Sequence, residues 1–317
     1  MKSKRAFLME PGKFEIKEVD VQIAADEVLV KVSSCGLCNW ELNHWKGLLG
    51  QCPQTLGHEW AGVVVETGKD VKNIAKGDYV TGLFTGIGFT EYTAAKASQC
   101  FKLDKSIDPK YALAEPVKCV TTVISAACPM PGDIGVIIGA GPMGIWCMQA
   151  LSGNMLGGLV AVDIDDNKLS LAKKYGATHT INPKKDNVAN KLSDITNGRL
   201  ADFVIEGTGV PEMVDAAMDY IRNTGRGRLI IMSSYERDTS KMDLRKAVNK
   251  SLEIRVAHPG YSFDNADDMR RAVMLINKGT YKFKELITHE FSLDNIQQAF
   301  ETLENKPQGY LKGIVVP

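Results

Sequence analysis

The chain has 317 residues with 38 basic and 38 acidic side chains, so its formal net charge is zero. That balance excludes nucleic acid as the main partner, because a phosphate-binding surface needs a concentrated basic excess. No apolar run approaches the ~20 residues that span a bilayer, and the first residues lack a signal peptide's apolar stretch. The seven cysteines are odd in number and scattered, which suits reduced thiols in a cytoplasmic protein.

The opening third reads as β-rich. FEIKEVDV, EVLVKVSSC and GVVVETG are short β-branched runs bounded by Gly, Pro and Asp. KGDYV sits at a turn between apolar runs, and FTEYTAAKASQCFKLD supplies two more strands. From about Glu115 the pattern changes. DIGVIIGAG, a helix over 142–152, GLVAVDID, a helix over 166–175, DFVIEGTG, a helix over 211–222 and RGRLIIMSS alternate strand with helix. Such repeats predict a parallel sheet wound by right-handed crossovers. LEIRVAHPG adds a strand, DNADDMRRAVMLINKG and SLDNIQQAFETLEN are helical, and KGIVVP closes the chain as a strand. The predicted organisation is 1–117 and 258–317 as one discontinuous β-rich domain, with 118–257 as an α/β domain between them.

Two constellations carry chemistry. Cys38 in CGLCNWE and His58 with Glu59 in LGHEW combine a thiolate, an imidazole and a carboxylate, a donor set suited to one Zn²⁺ with an open position for substrate. Taken singly, CGLC could be a redox pair, and His58 a core histidine. No thioredoxin-like unit surrounds the cysteines, however, and no second CxxC completes a four-sulfur site. In GAGPMG, Gly139 allows a tight turn, Gly141 lets backbone approach a pyrophosphate, and Gly144 permits close helix–strand packing; Pro142 and Met143 open the helix. Asp163 ends the next strand nineteen residues after Gly144. An acid there bonds the ribose 2′-hydroxyl and repels a 2′-phosphate, which favours NAD over NADP.

CGLC, LGHEWAGVVVETG, KGDYV, FTEY, AEP, GAGPMG, VDIDDNKLSLAKKYGATHTIN and DFVIEGTG, in that order along the whole chain, resemble the zinc-dependent medium-chain dehydrogenases, closest in pattern to the polyol (sorbitol-type) branch. The resemblance implies a doubly wound Rossmann sheet plus a discontinuous, GroES-like catalytic domain. It also implies one catalytic zinc per chain, NAD as cofactor, and a homo-oligomer of two or four chains. The zinc cysteine matches Cys38 and the zinc histidine His58; Cys35 is then a packed side chain. The third zinc position falls to Glu59 or to Glu115 of AEP, and Lys312 matches a basic position that reaches the cofactor pyrophosphate. TGLFTGIG replaces the family's four-cysteine lobe. The implied reaction is hydride transfer between NAD and a polyol, sugar alcohol or other secondary alcohol or ketone, with Glu41, Asn43 and His44 suiting a hydroxyl-rich substrate. Trp40 stands where the family usually has Ser or Thr, so either His44 or ordered water becomes the proton carrier, and Trp40 equally suits a pocket wall that stacks on a sugar or ring. The alternatives are reduction of an activated alkene or specialised ketone, and an inactive nucleotide-binding protein.

Overall fold

The computed structural model describes residues 1–153, 155–235 and 242–317. β1 (Lys2–Glu10) and β2 (Lys13–Asp20) form an antiparallel hairpin. β3 (Glu27–Gly36) leads into the short helix α1 (Asn39–Trp45), and β4 (Trp60–Thr67), β5 (Tyr79–Gly82), β6 (Tyr92–Lys96) and β7 (Cys100–Leu103) follow. α2 (Ala114–Ala127) comes next.

Six strands then alternate with helices. They are β8 (Ile134–Ile138), α3 (Pro142–Leu151), β9 (Gly158–Val162), α4 (Asp166–Lys174), β10 (His179–Ile181), α5 (Val188–Ile195), β11 (Phe203–Glu206), α6 (Glu212–Asp219), β12 (Arg228–Ile231), α7 (Leu244–Lys250) and β13 (Glu253–Val256). The chain ends with α8 (Asn265–Asn277), β14 (Ile287–Ser292), α9 (Ile296–Asn305) and β15 (Lys312–Val316).

The chain divides into two compact units, residues 1–118 with 266–317, and residues 119–265. The second division falls at Asn265/Ala266, where the sequence pattern places it at 257/258. Residues between β13 and α8 stay with the parallel sheet, because Ala257 N–H continues its ladder by donating to Ile231 O.

In the first unit a seven-stranded sheet runs β14-β15-β3-β4-β5-β7, with β6 also on β3. The last strand therefore lies against the third: Ile314 pairs Gly36, and Cys35 in turn pairs Trp60 of β4. The fully buried Phe300 of α9 explains why the distant segments join. Its ring centroid lies 4.8 Å from Phe14, 5.7 Å from Phe89 and 6.3 Å from Trp45.

In the second unit all six strands are parallel, in the order β10-β9-β8-β11-β12-β13. Counted from β8 this is 3-2-1-4-5-6, the order of a doubly wound dinucleotide-binding sheet. The strand order reverses beside β8, the point at whose carboxyl side doubly wound sheets bind their ligands. Phe300→Ala should destabilise the first unit by about 3–5 kcal/mol, read as a lower midpoint in urea unfolding; an unchanged midpoint would show that the C-terminal helix does not close this core.

Candidate metal and nucleotide sites

The register of β3, β4 and β15 assembles the first site. Cys38 caps α1 just beyond the end of β3, His58 and Glu59 immediately precede β4, and Lys312 begins β15. Atoms of the kind that bind metal on Cys38, His58 and Glu59 all lie within 4.8 Å of one another. Glu115, in the first turn of α2, approaches from another side, with Oε2 3.5 Å from His58 Nε2. Glycine is required at position 36: a Cβ there would stand 1.9 Å from Glu59 Oε2.

His58 is oriented by a residue the sequence reading did not single out for this role. Glu41 is fully buried, and its Oε1 accepts from Gly57 N–H at 2.8 Å and His58 N–H at 2.9 Å, with His58 Nδ1 also at 2.9 Å. A carboxylate on Nδ1 leaves Nε2 directed at the site, the usual arrangement behind a metal-binding histidine. The CxxE spacing from Cys38 to Glu41 was the available signal; it places the acid one helical turn along α1.

The electrostatics follow from burial. Burial raises the Cys38 thiol, Glu59 raises it further, and His58 opposes both. Burial lowers the His58 imidazole, but Glu41, Cys38 and Glu115 outweigh it and hold the ring well above its ordinary value. Glu59 is raised by burial, against the pull of Lys312. Burial also works against the Lys312 ammonium, yet Glu59 and Cys38 leave its pKa raised. Cys35 is wholly buried, which pushes its thiol far up and makes it an inert packed side chain.

Lys312 pairs through Nζ with Glu59 Oε2 at 2.6 Å and donates to Leu37 O at 2.8 Å, in a pocket where a lone carboxylate would be costly. Two expectations are corrected. Glu41 and His44 do not present polar groups to a substrate, since both are buried. His44 also does not join a hydrogen-bonded relay. Residues 39–45 form a helix rather than a loop, so positions 40 and 44 share a face, and the His44 ring packs against Trp40 with centroids 4.2 Å apart. Neither His44 ring nitrogen has a hydrogen-bond partner among the described residues.

The second site lies at the carboxyl end of β8. Gly139 adopts φ +98°, and a Cβ on Gly144 would stand 1.9 Å from Gly139 O, so helix and strand close only with glycine there. A Cβ on Gly141 meets nothing within 4 Å, which leaves an open cradle at the amino end of α3, where Pro142 and Met143 are partly exposed. Free N–H groups and the helix dipole favour an anion in such a place. Asp163 follows β9, and its carboxylate accepts from Ala140 N–H at 2.8 Å and Asp165 N–H at 2.9 Å. It therefore fixes the glycine turn as well as ending the strand.

Residues 142–278 match the zinc-binding dehydrogenase family, and residues 24–105 match the alcohol dehydrogenase GroES-like domain. The chain is 29% identical to the L-threonine 3-dehydrogenase of Pyrococcus abyssi, over 91% of each chain. It is 28% identical to D-xylulose reductase A of Aspergillus oryzae, over 92% of this chain and 90% of that one. Among solved structures, a Sinorhizobium meliloti protein described as a zinc-binding dehydrogenase bound to NADP superposes with a TM-score of 0.89 at 25% identity, with all of both chains covered.

Proposed function

Because the chain belongs to the zinc-dependent medium-chain alcohol dehydrogenase family, we propose that it is an NAD-dependent dehydrogenase of polyols and related secondary alcohols. The observation that carries this is the convergence of Cys38, His58 and Glu59 within 4.8 Å in a family whose relatives include xylulose reductases. The donor set fits zinc: one thiol, one imidazole already oriented through Nδ1, and two carboxylates.

Cys38, His58 and Glu115 would hold the metal. Two ligands about 2.1 Å from a tetrahedral centre sit about 3.4 Å apart, and His58 Nε2 and Glu115 Oε2 are 3.5 Å apart. Glu59 is already committed to Lys312 and supplies charge from behind. When bound, zinc supplies Lewis-acid polarisation of the substrate hydroxyl and NAD accepts the hydride. The protein's own part is to bind and orient. Glu41 holds His58 in one ring position, Lys312 pairs with Glu59 and pulls against the burial that raises its carboxyl, and the glycine cradle takes the pyrophosphate.

The central experiment is NAD⁺ reduction across a panel of polyols, with and without a chelator. Zinc-dependent turnover of secondary hydroxyls is expected, and no turnover with any of them ends this proposal. Elemental analysis should return one zinc per chain. Glu115→Ala should weaken zinc binding by more than about 100-fold, and Glu41→Ala by about 10–100-fold. Equal zinc content in Glu115→Ala and the unaltered protein would move the third ligand to Glu59.

Preference for NAD over NADP rests on Asp163, with Asp165 and Asp166 beside it adding negative charge where a 2′-phosphate would lie. Asp163→Ser should narrow the ratio of NAD to NADP affinity by roughly tenfold or more. It should also lower affinity for both, since Ala140 N–H loses its acceptor. Tighter binding of NADP than NAD by the unaltered protein would refute the assignment.

A homo-oligomer of two or four chains completes the proposal. It is supported by β13, an edge strand that exposes Ile254 at 37% and Val256 at 56%, and by Phe263, which is fully exposed. Light scattering should give at least twice the monomer mass, and Val256→Lys should lower it; a monomer at micromolar concentration would exclude the assembly.

A further inference from the structure

Trp40 stands in the first turn of α1, two residues beyond Cys38, and 47% of it is exposed. Its ring lies 5.2 Å from that of His58, at an interplanar angle of 79°. On the other side it meets His44 at 4.2 Å and 62°. His44 is itself pinned by the turn that follows α1: a Cβ on Gly50 would come within 2.6 Å of its Nδ1. The indole is thus wedged between a buried ring and the candidate metal histidine, with almost half its surface free. Leu48 and Leu49, in the same turn, are 58% and 40% exposed; of the polar side chains of this segment, Glu41 and His44 are buried and Asn39 is exposed. Beside the His58 ring, α1 sets the flat indole of Trp40.

We infer that Trp40 is the specificity-determining residue of this site, and that it selects cyclic secondary alcohols, whose carbon ring presents a continuous C–H face to the indole, over open-chain polyols. The inference rests on the dehydrogenase reading above and adds the substrate class. An indole face is electron-rich, so it attracts polarised C–H groups and flat apolar surfaces. A ring polyol keeps its hydroxyls at the rim and can stack without burying them. An extended polyol carries hydroxyls along every side, and stacking it strips their water without replacement. The wedge removes the cost of ordering the indole at binding, since its position is set in advance by His44 and His58.

The test uses myo-inositol and sorbitol, each with six carbons and six hydroxyls, and cyclohexane-1,2-diol against hexane-2,3-diol. The unaltered zinc-loaded enzyme should favour the ring of each pair by roughly tenfold in kcat/KM, Trp40→Phe should keep most of that ratio, and Trp40→Ala should bring it to about one. Zinc content and the Kd for NAD should stay constant across the three proteins, separating lost stacking from a damaged fold. Calorimetric titration of the same pairs onto the zinc- and NADH-loaded protein reads the preference without turnover. Equal use of ring and chain by the unaltered enzyme, or a ratio that survives in Trp40→Ala, overturns the inference. Absence of turnover with every alcohol overturns the dehydrogenase reading instead, and the binding ratio then decides this inference alone.

Discussion

A buried ammonium and a buried carboxylate, Lys312 and Glu59, tie the last strand of the chain to the start of β4, and the first site depends on that pair. Each charge alone would be expensive in this interior, and the pair, 2.6 Å apart, offsets part of that cost for both. The pair links residues separated by most of the sequence, and it does so where the register of β15 on β3 and of β3 on β4 already brings the strand ends together. Gly36 leaves room for the Glu59 carboxylate, which a Cβ there would approach to 1.9 Å. Break the pair and an uncompensated charge remains beside His58, so the same contact governs stability of the sheet and the field at the site.

Four acidic or basic side chains surround His58, and they divide the work by position. Glu41 is saturated by two backbone N–H groups and the ring, so it orients. Glu59 is neutralised from behind by Lys312. Glu115, partly exposed and 3.5 Å from Nε2, is the carboxylate best placed to act at the open side. The helix α1 makes this possible in one turn: Cys38 caps it, Trp40 faces outward, and Glu41 turns inward.

In the parallel sheet the glycine turn and Asp163 act as one unit. Gly144 closes helix onto strand, Gly141 leaves the cradle open, and Asp163 holds the N–H of Ala140 between the first two glycines. An acid at the end of β9 therefore shapes the turn besides facing whatever enters it. The strand order that reverses at β8 sets this turn at the topological switch point of the sheet.

Periodicity, glycine spacing and the Cys–His–Glu pattern were enough to give the α/β class, the wound parallel sheet and the candidate residues Cys38, His58, Glu59 and Asp163, because each is a local signal written over a few residues; Glu115 came from the family resemblance. The same signals did not mark α1, which is short and rich in aromatics, and so left His44 available as a proton carrier. Once residues 39–45 coil, positions 40 and 44 stack, and His44 becomes a wedge. Spacing could place Glu41 one turn along α1 but not against His58, and could not show that Lys312 turns in to Glu59, since both contacts depend on strand register between distant segments. What the sequence determined by itself was which side chains the chain possesses and which elements carry them. Only the tertiary structure decided which of them meet, because partners for a buried charge are set by the packing of strands far apart in the chain.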